Sequence, residues 1–316
     1  MKIVILEGHA VNPGDLSWDA IKHFGDVTIY DRTDPADAAE RIGDAQIILI
    51  NKTPITATLL DKCPYLRLIC VQATGYNVVD CAAAKQRGIT VCNVPAYGTN
   101  AVAQFTFSLL LEICNQVGHH NNAVHAGKWS ECGNFCFWDT PQMELHGKTL
   151  GIIGYGSIGQ AVGRIAKAFG MKVLAYSRTR YPEFQDDYAD LNAVLSRSDI
   201  ITLHCPMTPE TDRIINKDTI AKMKDGAILI NTGRGQLVDE QAVADALACG
   251  KLRAMAADVV SAEPITPDNP LLSAPNCILT PHMAWTPVEA RQRIIDITAN
   301  SIAGFLSGQP QNVVNP

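Results

Sequence analysis

The sequence predicts an α/β protein built on two doubly wound parallel sheets, and three observations predict it. Strand-like and helix-like runs alternate from one end of the chain to the other, which is typical of parallel sheets. A glycine-rich turn in the second half joins an apolar run to a helix-like run. The 316 residues are too many for one core of ordinary size and suit two domains.

Short apolar runs rich in Val, Ile and Leu are the predicted strands, since strands of parallel sheets are buried on both faces. They fall into two series separated by a long helix-like stretch. The first series covers residues 2–6, 27–30, 46–50, 66–71 and 90–93, and the second covers residues 149–153, 172–176, 200–204, 227–231, 254–258 and 277–280.

Two helix-like stretches divide these series into domains. The stretch NAVAQFTFSLLLEICNQV, residues 100–117, is apolar on nearly every face, which predicts a buried helix between the two halves. A final helix over residues 287–306 follows the second series and is expected to return to the first domain. The predicted domains are therefore residues 1–99 with 286–316, and residues 100–285.

Composition and charge exclude several classes of protein. Hydrophobic residues make up 47% and charged residues 18%, the balance of a compact globular protein. A net charge of -6 gives no general attraction to nucleic acid or to an anionic membrane. The apolar run Ile3 to Leu6 stops at Glu7, so it predicts a strand rather than a secretion signal, and no run is long enough to span a membrane. These features predict a cytoplasmic protein.

The cysteine pattern argues against a disulfide framework and against a metal site. Ten cysteines are scattered singly, which favours reduced thiols in the core. One group could be imagined as a metal cluster, but it lacks a second pair at zinc-site spacing, so no metal is predicted. That group consists of His119, His120, His125, Cys132 and Cys136.

The glycine-rich turn has the spacing of a dinucleotide-binding loop. Gly154, Gly156 and Gly159 follow an apolar strand and open a helix-like run. In this motif the first glycine allows a tight turn, the second lets backbone amides approach a pyrophosphate, and the third lets helix and strand pack closely. Ser157 and Ile158 are expected to add N–H groups at the positive end of the helix. The second domain is therefore predicted to be a Rossmann dinucleotide-binding domain.

The next strand ends in a segment that predicts which dinucleotide binds. Many such domains place an acid there, which hydrogen-bonds the adenosine ribose. The stretch VLAYSRTR offers Ser177, Arg178, Thr179 and Arg180 instead. Arginine suits a 2′-phosphate, so the sequence predicts that NADP(H) is favoured and that NAD(H) remains possible. The alternative is that both arginines are solvated or pair with Asp186 and Asp187, which leaves NAD usable.

Polar and charged residues gather at the ends of the later strands of this domain. In an open α/β sheet these ends form one rim, where ligands bind. The stretches are HCP at residues 204–206, NTGRG at 231–235, ADVVSAEP at 257–264 and TPHMAW at 280–285.

With these stretches the chain resembles the D-isomer-specific 2-hydroxyacid dehydrogenases, and within them the glycerate dehydrogenase and hydroxypyruvate reductase branch. The resemblance covers nearly the whole length, including ATGYNVVD at residues 73–80 and VPAYGTNAVAQ at 94–104. It implies reduction of a small 2-keto acid, most simply hydroxypyruvate or glyoxylate, and a flavodoxin-like substrate domain in the first part of the chain. It also implies a homodimer formed by the helix 100–117 and the following arm, although that arm could instead wrap its own domain.

The resemblance assigns Arg234 to the substrate carboxylate and carbonyl, His282 to acid/base work, and Glu263 to orienting His282. The chemistry agrees, because reducing a 2-keto acid requires a proton for the developing alkoxide and a cation that stabilises negative charge. A single Arg, Glu or His is usually a surface or satisfied core group, but three on successive strand ends favour a site.

Further contacts are implied by the same resemblance. His204 is expected to be structural, and Asp258 is expected to hold the carboxamide end of the cofactor. The implied cofactor contacts beyond the glycine loop and residues 177–180 are Cys205, Pro206, Thr232, Gly233, Arg234, Asp258, His282 and Ala284. The implied substrate contacts beyond Arg234 and His282 are the backbone of Gly75 and Tyr76, the side chain of Lys52, and Trp285 as a wall of the pocket. Lys52 could equally be a solvated loop lysine, and packing alone would explain Trp285.

Three alternatives of function stay open. Formate dehydrogenases share the fold but need no acid to protonate a carbonyl, so Glu263 and His282 disfavour that activity. A dehydrogenase for a bulkier 2-hydroxy acid remains possible, because the sequence does not give the shape of the pocket. A nucleotide-sensing corepressor of the same fold would act by recruiting partners, and it would not oxidise a reduced nicotinamide with a keto acid.

Overall fold

The computed structural model describes all 316 residues. The chain divides into two compact units. The first consists of Met1–Gly98 and Trp285–Pro316, and the second of Thr99–Ala284.

The first unit contains a five-stranded parallel sheet in the order β2-β1-β3-β4-β5. Residues on β3 and β4 are buried on both faces, which explains why these strands appear in the sequence as continuous apolar runs. The order confirms the predicted flavodoxin-like topology. The strands are β1 (Lys2–Ile5), β2 (Asp26–Ile29), β3 (Ile47–Ile50), β4 (Leu68–Val71) and β5 (Thr90–Cys92).

Short helices connect these strands. Thr56 and Asp80 begin two of them, since each side chain accepts a hydrogen bond from a backbone N–H three residues later. The helices are α1 (Gly8–Val11), α2 (Asp19–Lys22), α3 (Ala38–Ile42), α4 (Ala57–Asp61) and α5 (Cys81–Gln86).

The second unit contains a six-stranded parallel sheet in the order β11-β10-β9-β8-β6-β7. The strand order reverses between β6 and β8, and in open α/β sheets ligands bind at such a point. This topology confirms the predicted Rossmann architecture. The strands are β6 (Thr149–Ile153), β7 (Lys172–Tyr176), β8 (Ile200–Leu203), β9 (Ala227–Asn231), β10 (Leu252–Ala257) and β11 (Cys277–Leu279).

Seven α-helices belong to this unit. The predicted buried helix is α6, which packs against α9 and ends two residues earlier than expected, because Gln116 has a left-handed φ of 47° and separates it from α7. Three 3₁₀ turns also occur, at Pro182–Asp187, Gly235–Leu237 and Pro270–Leu272. The helices are α6 (Thr99–Asn115), α7 (Val117–His125), α8 (Lys128–Glu131), α9 (Ser157–Ala168), α10 (Leu191–Arg197), α11 (Lys217–Ala221) and α12 (Glu240–Ala248).

The last helix, α13 (Val288–Leu306), packs on α2 and β4 of the first unit, as predicted for a returning helix. Ile294, Ile295 and Ile302 fill the core on that face of the sheet. Arg291 fixes the start of the helix through Asp15, with contacts of 2.7 and 2.6 Å, and through the carbonyl of Val11. The Arg291 side chain is 8% exposed and that of Asp15 is 45% exposed, and the bidentate geometry makes this pair stronger than a single-contact surface ion pair.

The residues weighed as metal ligands are used in other ways. His119 Nε2 lies 2.7 Å from Asp139 Oδ2, and His120 Nε2 accepts the N–H of Asp139 at 3.2 Å. No group of three or more His, Cys, Asp and Glu side chains is arranged to hold a metal ion. All ten cysteines are free, and none of the helices combines the length and apolarity needed to cross a membrane.

Candidate active site

The glycine-rich turn follows β6 at the point where the strand order reverses. Gly154 has a φ of 97°, and a Cβ there would lie 2.2 Å from the backbone nitrogen of Cys205. A Cβ on Gly159 would lie 2.2 Å from the carbonyl oxygen of Gly154. A Cβ on Gly156, in contrast, would meet no atom within 4 Å. Two glycines therefore allow close packing of the turn, while the middle one leaves its backbone open to a ligand.

The helix that follows presents unoccupied backbone donors to this open space. Gly156 is the N-cap of α9 and supplies no side-chain acceptor for the first N–H groups, including those of Ser157, Ile158 and Gly159. The first turn of a helix carries free N–H groups and a partial positive charge. With twelve residues in α9 and an open approach, this end of the helix fits the pyrophosphate of a dinucleotide.

A buried network ties the glycine loop to the segment after β7. The Tyr155 hydroxyl donates to Asp187 at 2.7 Å, and Lys167 also contacts Asp187 at 2.8 Å. Burial raises the pKa of Tyr155, and the neighbouring carboxylate of Asp187 raises it further. Asp187 is 6% exposed and is therefore committed to this network.

The predicted specificity segment carries exposed cations. Arg178, Thr179 and Arg180 are all exposed, and Ser177 is half-buried. The guanidinium of Arg180 lies 5.4 Å from the centre of the Tyr188 ring. Neither Arg178 nor Arg180 pairs with Asp187, which contacts Lys167 instead. The alternative in which these arginines pair with Asp187 is therefore wrong. The guanidinium of Arg178 remains available to an anion.

The loop after β9 places Arg234. Asn231 is buried, and its side chain accepts the N–H of Gly233 at 3.0 Å and donates to the carbonyl of Arg234 at 2.8 Å. The Arg234 side chain is exposed, and its Nη1 donates to the carbonyl of Gly233 at 2.7 Å. The buried Thr232 lies 3.0 Å from Thr106 of α6, oxygen to oxygen. Asn231 therefore fixes the loop, while the cation of Arg234 projects from it.

His204 sits at the end of β8 as a neutral ring. Its Nε2 lies 2.9 Å from the Thr202 hydroxyl, and its Nδ1 lies 3.5 Å from that of Thr232. Burial lowers the pKa of His204 to about 3, so the ring carries no charge near neutrality. Next to it, burial raises the pKa of the Cys205 thiol to about 11, and the Pro206 carbonyl accepts the Thr211 hydroxyl. His204 therefore has a structural environment.

His282 is held by Glu263 and by the loop after β11. His282 Nδ1 and Glu263 Oε2 are 2.7 Å apart, and both side chains are about one third exposed, 30% and 36%. His282 has a left-handed φ of 52°, a conformation that non-glycine residues adopt when their surroundings require it. Because Nδ1 faces the carboxylate, Nε2 is the ring nitrogen that can exchange a proton with a ligand.

The carboxylate of Asp258 organises the same loop. Asp258 is 1% exposed, and it accepts the Thr280 hydroxyl at 2.6 Å and the N–H groups of Met283 and Ala284 at 2.9 and 2.8 Å. The backbone N–H of His282 donates to the carbonyl of Asp258 at 2.8 Å. Asp258 is therefore an internal support of the histidine, a role that the sequence did not reveal alongside the expected cofactor contact.

The predicted substrate residues of the first unit follow neighbouring strands. Lys52 comes after β3, and Gly75 and Tyr76 come after β4, so they lie at the carboxyl edge of one sheet. The side chains of Lys52 and Tyr76 are exposed. Trp285 packs edge-on against Tyr97, with ring centres 6.2 Å apart.

Glu7 is a residue of this edge that the sequence interpretation missed. Its Oε2 atom accepts the backbone N–H groups of Asn51, Lys52 and Thr53 at 2.8, 2.8 and 2.9 Å. One carboxylate oxygen therefore sets the path of the loop that carries Lys52. A signal existed, since Glu7 is a polar residue directly after an apolar strand.

Known proteins resemble the chain in sequence and in structure. Residues 107–284 match the family described as "D-isomer specific 2-hydroxyacid dehydrogenase, NAD binding domain". A hydroxypyruvate reductase of Blautia hydrogenotrophica is 54% identical over the full length of both chains, and a glycerate dehydrogenase of Methylorubrum extorquens is 44% identical over 89% of this chain and 88% of its own. The structure of an acyclic imino acid reductase in complex with NADPH and D-Arg superposes with a TM-score of 0.85 at 30% identity, covering 99% of this chain and 100% of its own. With the nucleotide-binding turn and the paired His282 and Glu263, these matches establish that the chain belongs to the D-isomer-specific 2-hydroxyacid dehydrogenases.

Proposed function

We propose that the protein reduces hydroxypyruvate and glyoxylate to D-glycerate and glycolate, with NADP(H) as the favoured cofactor. The pairing of His282 with Glu263 carries the proposal, because reduction of a carbonyl requires a proton donor at the alkoxide. The relatives named hydroxypyruvate reductase and glycerate dehydrogenase support the choice of substrate.

When bound, the reduced nicotinamide supplies the hydride that goes to the carbonyl carbon. His282 gives a proton from Nε2 to the carbonyl oxygen, and Glu263 fixes the orientation of the ring through Nδ1. Arg234 binds the substrate carboxylate and stabilises negative charge on the carbonyl oxygen, since a guanidinium remains cationic throughout. In the oxidation direction His282 accepts the proton.

The cofactor is held by the second unit in this proposal. The turn from Gly154 to Gly159 would hold the pyrophosphate, since Gly156 leaves the backbone open there. Arg178 binds the 2′-phosphate, which its exposure and its lack of an ion-pair partner support. Arg180 adds positive charge beside Tyr188, and Ser177 and Thr179 offer hydroxyls to the ribose. The remaining proposed cofactor contacts are Cys205, Pro206, Thr232, Gly233, Asp258 and Ala284.

The substrate is also contacted from the first unit in this proposal. The backbone of Gly75 and Tyr76 binds the carboxylate, Lys52 adds a cation, and Trp285 forms a wall. The support for Lys52 is the loop that Glu7 holds, which leaves the ammonium exposed.

The protein forms a homodimer through α6 and the arm that follows it, His119 to Trp138. The support is an unusually apolar exposed surface on this arm, where Phe135 is 90% and Trp138 is 66% exposed. A groove of about 460 Å³ between α6 and α9, lined partly by Phe107 and Leu111, adds to it. Ten free cysteines suit a reducing compartment, such as the cytoplasm.

A panel of 2-keto acids, assayed with NADPH and with NADH by the loss of reduced-nicotinamide absorbance, tests the proposal. We expect the highest kcat/KM for hydroxypyruvate with NADPH, and a lower value for glyoxylate. Faster turnover of a branched or aromatic keto acid would replace the substrate assignment. A lack of oxidation with every acid would favour a nucleotide-sensing binding protein.

A further inference from the structure

We infer that Glu240 is a positioning residue for the acid/base pair, since it holds the loop that carries Glu263. The inference rests on the proposed function, because it assigns Glu240 a task in the same reaction. Glu240 is the first residue of α12, and its side chain is half-buried. It does not itself contact His282.

Both oxygens of the Glu240 carboxylate accept hydrogen bonds from the loop that follows β10. Its Oε1 accepts the backbone N–H of Ser261 at 2.7 Å. Its Oε2 accepts the Ser261 hydroxyl at 2.7 Å and the Asn269 amide at 3.0 Å. Both polar groups of Ser261 are therefore tied to one carboxylate, two residues before Glu263. Hydrogen bonds to a charged acceptor are the strong ones.

Hydrophobic packing holds Val259 and Val260 at the start of this loop but not the four residues that follow. Ser261, Ala262, Glu263 and Pro264 are all exposed. Within the loop, the N–H of Val260 donates to Glu263 Oε1 at 3.3 Å, which is long for a hydrogen bond. The bonds from Ser261 to Glu240 are fixed points of the loop two residues before Glu263, and they help to determine where the Glu263 carboxylate meets His282.

The loop that carries Arg234 contacts the Glu263 loop but also has a support of its own. Gly235 lies against the Glu263 loop so closely that a Cβ would be 1.9 Å from the carbonyl carbon of Val260, and Gln236 donates to the Ser261 carbonyl at 2.9 Å. Arg234 itself is fixed from the other side, by the side chain of Asn231. Loss of Glu240 should therefore disturb Glu263 more than Arg234, whose loop keeps the contact with Asn231.

The experiment compares Glu240→Ala, Glu240→Gln and Ser261→Ala with a matched control, Glu289→Ala. Glu289 is also a glutamate in the first turn of a helix, but it is exposed and lies in the first unit. We expect Glu240→Ala to lower kcat for hydroxypyruvate about 10- to 100-fold, the size of effect that misplacement of a catalytic group by about 1 Å produces. The Kd for NADPH should stay unchanged, because Glu240 has no contact with the glycine loop, and KM should change less than kcat, because Arg234 keeps its contact with Asn231.

The variants should form a graded series. Glu240→Gln keeps one acceptor oxygen and should recover part of kcat, and Ser261→Ala should fall between Glu240→Gln and the parent, because it loses only the hydroxyl contact. Glu289→Ala should behave as the parent. Thermal melting of each variant separates a local effect from unfolding.

A second readout does not depend on turnover. The Nδ1 proton of His282, hydrogen-bonded to Glu263, should give a far-downfield proton resonance, which the His282→Ala variant identifies. Glu240→Ala should shift or broaden that resonance, and Glu289→Ala should not. An active parent together with full kcat and an unchanged resonance in Glu240→Ala would overturn the inference. If the parent itself reduced no keto acid, the proposed function would fail, and the resonance would still decide the role of Glu240.

Discussion

The proposed preference for NADP(H) rests mainly on one exposed guanidinium, so Arg178→Ala is the most informative single change. Arg178 follows β7 and has no ion-pair partner, whereas the nearby Asp187 is occupied by Lys167 and Tyr155. No internal contact must therefore be broken before Arg178 binds a phosphate. The matched control is Arg180→Ala, since the Arg180 guanidinium already lies over the Tyr188 ring.

The size of the effect follows from the kind of contact. Hydrogen bonds to charged groups contribute about 1.5–3 kcal/mol, and the exposure of Arg178 places it near the lower end. Since about 1.4 kcal/mol corresponds to a factor of ten, the ratio of kcat/KM for NADPH to that for NADH should fall about tenfold. Arg180→Ala should lower the ratio less.

The assay measures kcat/KM with hydroxypyruvate at saturation, for NADPH and NADH separately, in the parent and both variants. High salt should reduce the NADPH advantage of the parent, because an exposed charge pair is screened. A ratio that does not change in Arg178→Ala, or in the double variant, would refute the role of these arginines in cofactor preference.

Three further predictions follow from other parts of the structure. Gly159→Ala places a methyl group against the carbonyl of Gly154, so it should abolish NADPH binding in a fluorescence titration while the first unit stays folded; binding at the parental Kd would contradict the packing argument. Glu7→Ala leaves three backbone N–H groups without their acceptor and should lower the free energy of unfolding, measured in urea, by about 2 kcal/mol. Glu7→Gln should lower it less, and an equal loss of stability in both variants would show that the charge of Glu7 does not contribute. Burial lowers the pKa of His204 from 6.5 to about 3 in the folded chain, so between these pH values the unfolded state binds more protons than the folded state. The free energy of unfolding should therefore fall as the pH falls from 6.5 towards 3. His204→Asn should flatten that pH dependence, and an unchanged slope would contradict this argument.

The strands and the nucleotide loop could be predicted because their signals are local. Ile47–Ile50 and Leu68–Val71 are continuous apolar runs, as strands buried on both faces must be. The spacing of Gly154, Gly156 and Gly159 is typical of a turn in which neighbouring backbone atoms come so close that only glycine fits. The structure contains two such contacts, at Gly154 and Gly159. Local sequence patterns were therefore sufficient to predict the architecture.

The supporting contacts could not be predicted, since they join residues distant along the chain. Glu240 and Ser261 are separated by 21 residues, and Glu7 and Asn51 by 44. The break after α6 depends on the left-handed backbone of Gln116, for which the side chain gives no signal. Asp187 pairs with Lys167 rather than with an arginine, because α9 packs beside the segment that follows β7.

The proposed role of His282 is to transfer the proton during reduction of a 2-keto acid. Single-turnover oxidation of NADPH by hydroxypyruvate in the parent and in His282→Ala, with the Kd for NADPH determined in parallel, measures that step. We expect the rate of the chemical step to fall about 10²- to 10⁴-fold while the Kd stays the same. Near-parental turnover in His282→Ala would contradict it.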